Sequence, residues 1–184
     1  MVKKGVFLVL VLLLSSQMVQ AQGIGFGPLA GYFQSKGADQ GEFMFGGAIR
    51  LKLSPSFGIE GSIQYREEKY GDGAVKVRSW PVMATGLFYV FPFLYGAAGA
   101  GWYNTTMDYG EGHMDDGGMM GDETTQEFGW HFGGGLEIPF GSGTKLYGDI
   151  RYVFLDYEFK QLPGSEGLES DFYIITVGLL WGME

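Results

Sequence analysis

The sequence predicts an all-β protein, an eight-stranded antiparallel up-and-down barrel. Three observations carry that reading. Glycine supplies 33 of 184 residues, a density that disrupts helices. Apolar and polar residues alternate with period two along most of the chain. The connections between the alternating segments are themselves alternately short and long. With 16% aromatic and 18% charged residues, the composition is that of a packed chain and not a disordered one. There is no cysteine, which excludes disulfides, thiolate metal sites and a cysteine nucleophile. A formal charge of −9 excludes a nucleic-acid partner, because phosphate binding needs a basic face.

Residues 1–21 read as a secretory signal peptide. Lys3 and Lys4 form its charged start, and Val6 to Leu14 an unbroken apolar run. That run is shorter than the ~20 residues a helix needs to cross a bilayer. Val19-Gln20-Ala21 places small residues at the positions a signal peptidase reads, so cleavage is expected before Gln22. Losing Lys3 and Lys4 leaves 10 basic and 21 acidic residues, a net of −11. Residues 22–184 then form one barrel domain.

Strands are expected, in order, at 24–34, 42–53, 57–66, 75–90, 93–107, 124–140, 145–159 and 171–181. In the second, Phe43, Phe45, Ile49, Leu51 and Leu53 oppose Glu42, Arg50 and Lys52. In the third, Phe57, Ile59, Ile63 and Tyr65 oppose Glu60, Ser62, Gln64 and Arg66. In the sixth, Phe128, Trp130, Phe132, Leu136, Ile138 and Phe140 oppose Glu127, His131 and Glu137. In the seventh, Asp149 and Arg151 oppose Leu146, Ile150 and Tyr152, and the eighth aligns Tyr173, Ile175, Val177, Leu179 and Trp181. The faces of the first and fourth strands are not assigned by pattern. In the fifth, Tyr95-Gly96-Ala97-Ala98-Gly99-Ala100-Gly101 is nearly all small residues, which fits a narrow or sharply curved wall.

Short connections are expected at Ser54-Pro55-Ser56, Phe91-Pro92 and Gly141-Ser142-Gly143-Thr144, and long polar ones at 35–41, 67–74, 108–123 and 160–170. All short turns then fall at one end, with both termini. This is the layout of a barrel in a bacterial outer membrane. A soluble barrel of the lipocalin type would turn the aromatic face inward instead. Aromatics near strand ends favour the membrane: Phe57, Phe91, Phe93, Phe140 and Trp181 at one end, and Phe43, Tyr65, Trp80, Tyr103, Phe159 and Tyr173 at the other. Small residues on the polar face suit a narrow interior. Strands of ten or more residues suit a crossing, which takes about 9–11.

Particular segments add a family resemblance over 22–184. They are Ser79-Trp80-Pro81-Val82, Tyr95 to Tyr103, Trp130-His131-Phe132-Gly133-Gly134-Gly135-Leu136-Glu137, Tyr147-Gly148-Asp149-Ile150-Arg151-Tyr152 and the final alternating strand. The chain resembles the small outer-membrane β-barrels of the OmpA-like and opacity-type porin superfamily. The resemblance implies insertion by barrel-assembly machinery, which reads an aromatic residue at the end of the last strand. Trp181 holds that place, although Gly182, Met183 and Glu184 follow it. A peptidoglycan-binding domain is not expected, so no wall anchor is implied.

The polar face supplies the candidate site: Arg50, Lys52, Arg66 and Arg151 against Glu60, Glu127, Glu137 and Asp149, with His131 among them. Four charges of each sign can pair in a lumen just wide enough for side chains. Taking 54–56 as the turn, paired residues sum to 110, which sets Leu53 opposite Phe57 and Arg50 opposite Glu60. No serine neighbours His131, since residue 133 is glycine, so no catalytic residue and no cofactor are expected. The loop 108–123 carries Asp108, Glu111, Asp115, Asp116, Asp122 and Glu123 with His113, Met114, Met119 and Met120. It does not have the spacing of a calcium loop, and it reads as a solvated segment to which divalent cations can come. The expected partners are outer-membrane lipid and lipopolysaccharide, with divalent cations at the acidic loops. The expected function is structural or surface-interacting, with a small-solute pore as the alternative.

Overall fold

The computed structural model describes residues 23–35, 41–70, 75–109, 114–115, 118–119, 123–155 and 171–183. Its strands are β1 (Gly23–Ser35), β2 (Glu42–Ser54), β3 (Phe57–Tyr70), β4 (Val75–Phe91), β5 (Leu94–Tyr109), β6 (Met114–Asp115), β7 (Gly118–Met119), β8 (Glu123–Pro139), β9 (Thr144–Leu155) and β10 (Phe172–Trp181). Among the described residues, eight of these close into an antiparallel barrel in the order β1-β10-β9-β8-β5-β4-β3-β2. The two-residue strands β6 and β7 pair only with each other. The signal segment, Phe159, His113 and most of the long connections lie outside the described residues.

The outward face is apolar and the inward face is polar, the reverse of a water-soluble protein. Phe43, Phe45, Ile49, Ile63, Trp130, Phe132, Ile150 and Val177 are exposed, Phe43 by 70%. Arg50, Glu60, Glu137, Asp149 and Arg151 are buried. Period two explains both faces at once, because each strand sends successive side chains to opposite sides. Aromatic pairs rim the apolar band at both ends. Phe91 stacks on Phe93 at 5.9 Å and Phe26 meets Trp181 edge-on at the short-turn end. At the other end Tyr65 lies against Trp80, Trp102 against Phe128 and Tyr152 against Tyr173. Just past Trp102 and Phe128, Gln126 Nε2 donates to Asn104 Oδ1 at 2.7 Å, marking where the wall turns polar.

Several expectations need correction. Tyr103 is not part of the rim: it is fully buried, and its hydroxyl donates to Met83 Sδ inside the lumen. The first half of the connection expected at 67–74 is wall, because Glu67 to Tyr70 pair with Arg78 to Val75. The polar sequence there belongs to strands that outrun the apolar band: β4 and β8 have 17 residues each, beyond the ~9–11 a crossing needs. The first turn is tighter than expected. Ser54, not Leu53, pairs with Phe57, and a register shift after Lys52 absorbs the extra residue. The same device closes the second turn, where Phe91 pairs with Leu94 after a shift past Tyr89. Beyond the first bulge the ladder returns to the expected alignment, so Arg50 stands opposite Glu60.

The structure also assigns the two undecided faces. In β1, Gly25, Leu29 and Phe33 point inward, and in β4 Ser79, Met83, Thr85, Leu87 and Tyr89 do. Pro28 and Pro81 lack an N–H, and the described pairing of β1 with β10 and of β3 with β4 skips their positions.

The outward placement of Ile63 yields a test. Arg or Lys near the bilayer midplane costs about 2–4 kcal/mol on the lipid face. Ile63→Arg is expected to refold poorly into vesicles, while Ile63→Leu refolds as wild type does. Equal refolding of the arginine variant would reverse the face assignment.

Candidate functional site

The lumen is built from arginines on two strands and the carboxylates facing them. Arg50, on β2, is 0% exposed. Its Nε and Nη2 donate to Glu60 Oε2 at 3.0 and 2.5 Å, its Nη1 to Glu137 Oε2 at 2.7 Å, and its Nη2 also to the Tyr95 hydroxyl at 3.2 Å. Arg151, on β9, forks onto Asp149, with Nε donating to Oδ1 at 3.1 Å and Nη2 to Oδ2 at 2.7 Å. The same Nη2 reaches Glu60 Oε1 at 2.7 Å, and Nη1 donates to Thr85 Oγ1 at 3.1 Å. Glu60 therefore sits between two guanidiniums, one oxygen to each.

Neutral groups complete the network. Tyr95 donates its hydroxyl to Asp149 Oδ2 at 2.9 Å and Tyr89 donates to Glu137 Oε2 at 2.8 Å. Lys145 Nζ donates to Glu137 Oε1 at 3.0 Å. The Arg50 guanidinium also lies over the rings of Tyr95 and Tyr147, at 4.8 and 4.4 Å from their centroids. His131 Nε2 shares a 2.9 Å hydrogen bond with Thr85 Oγ1. Residues from β2, β3, β4, β5, β8 and β9 are thus tied across the barrel axis.

Inward glycines make room for these large groups. A Cβ at Gly135 would stand 2.7 Å from the Tyr95 ring and 2.5 Å from Asp149 Cβ. One at Gly178 would strike the Tyr147 ring at 2.5 Å. Glycines of β8 and β10 are therefore sockets for the large inward side chains.

Apolar layers cap the charges. Toward the long connections, Phe33, Met44, Met83, Tyr103, Val153, Leu155, Phe172 and Ile174 form one cluster. Arg66 joins this layer, its guanidinium 4.4 Å from the Phe33 centroid and 5.0 Å from that of Phe172. Toward the short turns, Leu29, Ala48, Tyr147, Leu180 and Met183 pack together. Gly182 has φ +89 and its N–H donates to Gly143 O at 2.8 Å, which swings the chain under the barrel and puts Met183 into that floor.

Of the residues singled out by sequence, the structure joins Arg50, Glu60, Glu137, Asp149 and Arg151 by direct hydrogen bonds. His131 attaches through Thr85. Lys52 rests on the Tyr89 ring, 4.3 Å from its centroid, and Arg66 lies over the Phe33 and Phe172 rings in the apolar layer. Glu127 lies nearer the long connections, half-buried opposite Tyr103. Sequence reasoning missed Tyr89, Tyr95, Thr85, Tyr147 and Lys145. Parity along β9 pointed to the last two, since positions 145 and 147 share a face with Asp149 and Arg151.

No curated protein sequence matches the chain. The model of the outer membrane protein beta-barrel domain matches residues 7–181. The chain belongs to that family. Among solved structures, a major outer membrane protein from Thermus thermophilus superposes with a TM-score of 0.65 at 11% identity, covering 86% of this chain and 98% of the other. Ail, the attachment invasion locus protein of Yersinia pestis, gives 0.54 at 16% identity over 87% and 96% of the two chains. Neisserial surface protein A gives 0.54 at 12% identity over 86% and 96%. At such identities the likeness is one of fold. Membership in the family places this barrel in the bacterial outer membrane, the solvent its outward face requires.

The bridging position of Glu60 sets the expected energetics. Removing one partner of a buried ion pair strands the other, at a cost of about 3–5 kcal/mol. Glu60→Ala and Arg50→Ala are each expected to lower the stability of the folded barrel by that order in urea unfolding from vesicles. Their combined loss should fall short of the sum by at least ~1 kcal/mol. Strict additivity would show that the two side chains do not interact.

Proposed function

We propose that this protein is a structural, surface-interacting barrel of the cell envelope whose lumen does not conduct. The observation that supports this is the filled interior, in which a hydrogen-bonded charged layer is closed by side-chain clusters toward both ends. An eight-stranded wall leaves space for side chains and little more. The part left to meet the outside is the long-connection end, where the strands outrun the apolar band and the acidic segments lie.

In the same reading the protein carries no catalysis. His131 is 2% exposed and its Nε2 is already bonded to Thr85, so a substrate does not reach it. Residues 1–21 direct export and are removed before Gln22, barrel-assembly machinery inserts the remainder, and lipopolysaccharide surrounds the long-connection rim. Divalent cations bridge the acidic connections to lipopolysaccharide phosphates. Calcium or magnesium suits such carboxylates, since both prefer oxygen ligands.

Planar-bilayer recording of the purified, refolded barrel tests the central statement. Openings are expected to be absent or brief and small. A steady, large conductance would favour the small-solute pore instead. A strain lacking the protein is expected to become more sensitive to detergent and chelator, and unchanged sensitivity would count against an envelope-stabilising role.

A further inference from the structure

Among the described residues, the charged layer carries more positive charge than its acids neutralise. Among the described residues, contacts connect Arg50, Arg151 and Lys145 with Glu60, Glu137 and Asp149, three charges of each sign. Lys52 joins through the Tyr89 ring and adds a fourth cation. The surplus lies at the short-turn mouth, because Lys52 is near the end of β2 and Lys145 near the start of β9.

These two ammonium groups converge on one tyrosine–glutamate pair. Lys52 Nζ stands 4.3 Å from the centroid of Tyr89, whose hydroxyl donates to Glu137 Oε2. Lys145 Nζ donates to Oε1 of the same carboxylate. Glu137 is already engaged by Arg50, Tyr89 and Lys145, so it cannot neutralise both lysines. An ammonium has three donors, and a ring face satisfies its charge without taking a conventional hydrogen bond. Both side chains remain open to the mouth: Lys52 is half-buried, and the Lys145 side chain keeps 17% of its exposure. In a chain of net charge −9, two neighbouring cations backed by an arginine mark a place for an anion.

We propose that Lys52 and Lys145 form an anion site at the short-turn mouth that takes one phosphate group. A phosphate fits better than a carboxylate because its oxygens point several ways, so ammoniums from two walls can each bind a different one. The phosphate comes either from solution or from a lipid headgroup at the membrane surface. The site does not depend on the structural role proposed above.

Lysine side-chain nitrogen resonances of the refolded barrel in phosphatidylcholine nanodiscs test this directly. Inorganic phosphate, added at constant ionic strength, is expected to shift Lys52 and Lys145 along one saturating curve. Lys69, in β3 at the opposite end, should move weakly and without saturation. A second arm omits free phosphate and adds phosphatidylglycerol to the nanodisc, so a saturating shift there assigns the phosphate to a headgroup. Lys52→Gln should weaken binding at Lys145 by about tenfold. If neither arm saturates, or if Lys52 and Lys145 respond no more than Lys69, the site does not exist. Because the wild-type spectrum decides this, a poorly folding variant leaves the test intact.

Discussion

A carboxylate held between two guanidiniums is the contact on which the interior depends. Glu60 gives one oxygen to Arg50 and the other to Arg151, which come from β2 and β9. Neither arginine could be buried alone, since the desolvation of a single charge costs several kcal/mol. Each instead makes four hydrogen bonds to side chains inside the barrel. The network has to be completed as a unit, because a partly satisfied polar cluster in a low dielectric is worse than an apolar one.

The rest of the architecture follows from where those charges sit. Lipid accepts the apolar face and cannot satisfy polar groups, so the polar face must turn inward and the wall must close. Closure at eight strands leaves an interior about as wide as its own side chains, and the inward charged groups meet there. Large residues lie over glycines of the neighbouring strand: Tyr147 over Gly178, Tyr95 over Gly135. The high glycine content thus supplies volume where arginine and tyrosine must fit. At the long-connection end the requirement changes from lipid to water. The strands continue there with polar residues such as Asn104 and Gln126 on the outer face.

Where the pattern was simple, the sequence was enough to read the fold. Strict alternation in 42–53 and 57–66 gave the faces of β2 and β3 and the pairing of Arg50 with Glu60, even though the turn between them was drawn one residue too long. A bulge between Lys52 and Ser54, at the very end of the strand, takes up the difference. The face of β4 was illegible because Pro81, Met83, Thr85, Leu87 and Tyr89 point inward as a mixed set, and lumen positions tolerate apolar and polar residues alike. The extent of β3 was underestimated because Glu67 to Tyr70 read as a polar loop. Polar sequence beyond the membrane is compatible with either loop or strand.

What the sequence determined by itself were the properties that repeat along the chain: the number of barrel strands, alternation, the short–long order of the connections and the membrane as solvent. These are local or periodic, and each is written several times over. What only the tertiary structure decided was who meets whom across the lumen. Arg50 reaches Glu137, 87 residues away, and Arg151 reaches Glu60, 91 residues away. Such meetings depend on the stagger of strands around a closed wall and on the lengths of arginine and tyrosine side chains. Neither is encoded in the spacing of any one segment. By contrast, Lys145 reaches the carboxylate that Arg50 and Tyr89 already hold from the adjacent strand, only eight residues on, while the turn at Gly182 puts Met183 into the floor beneath them.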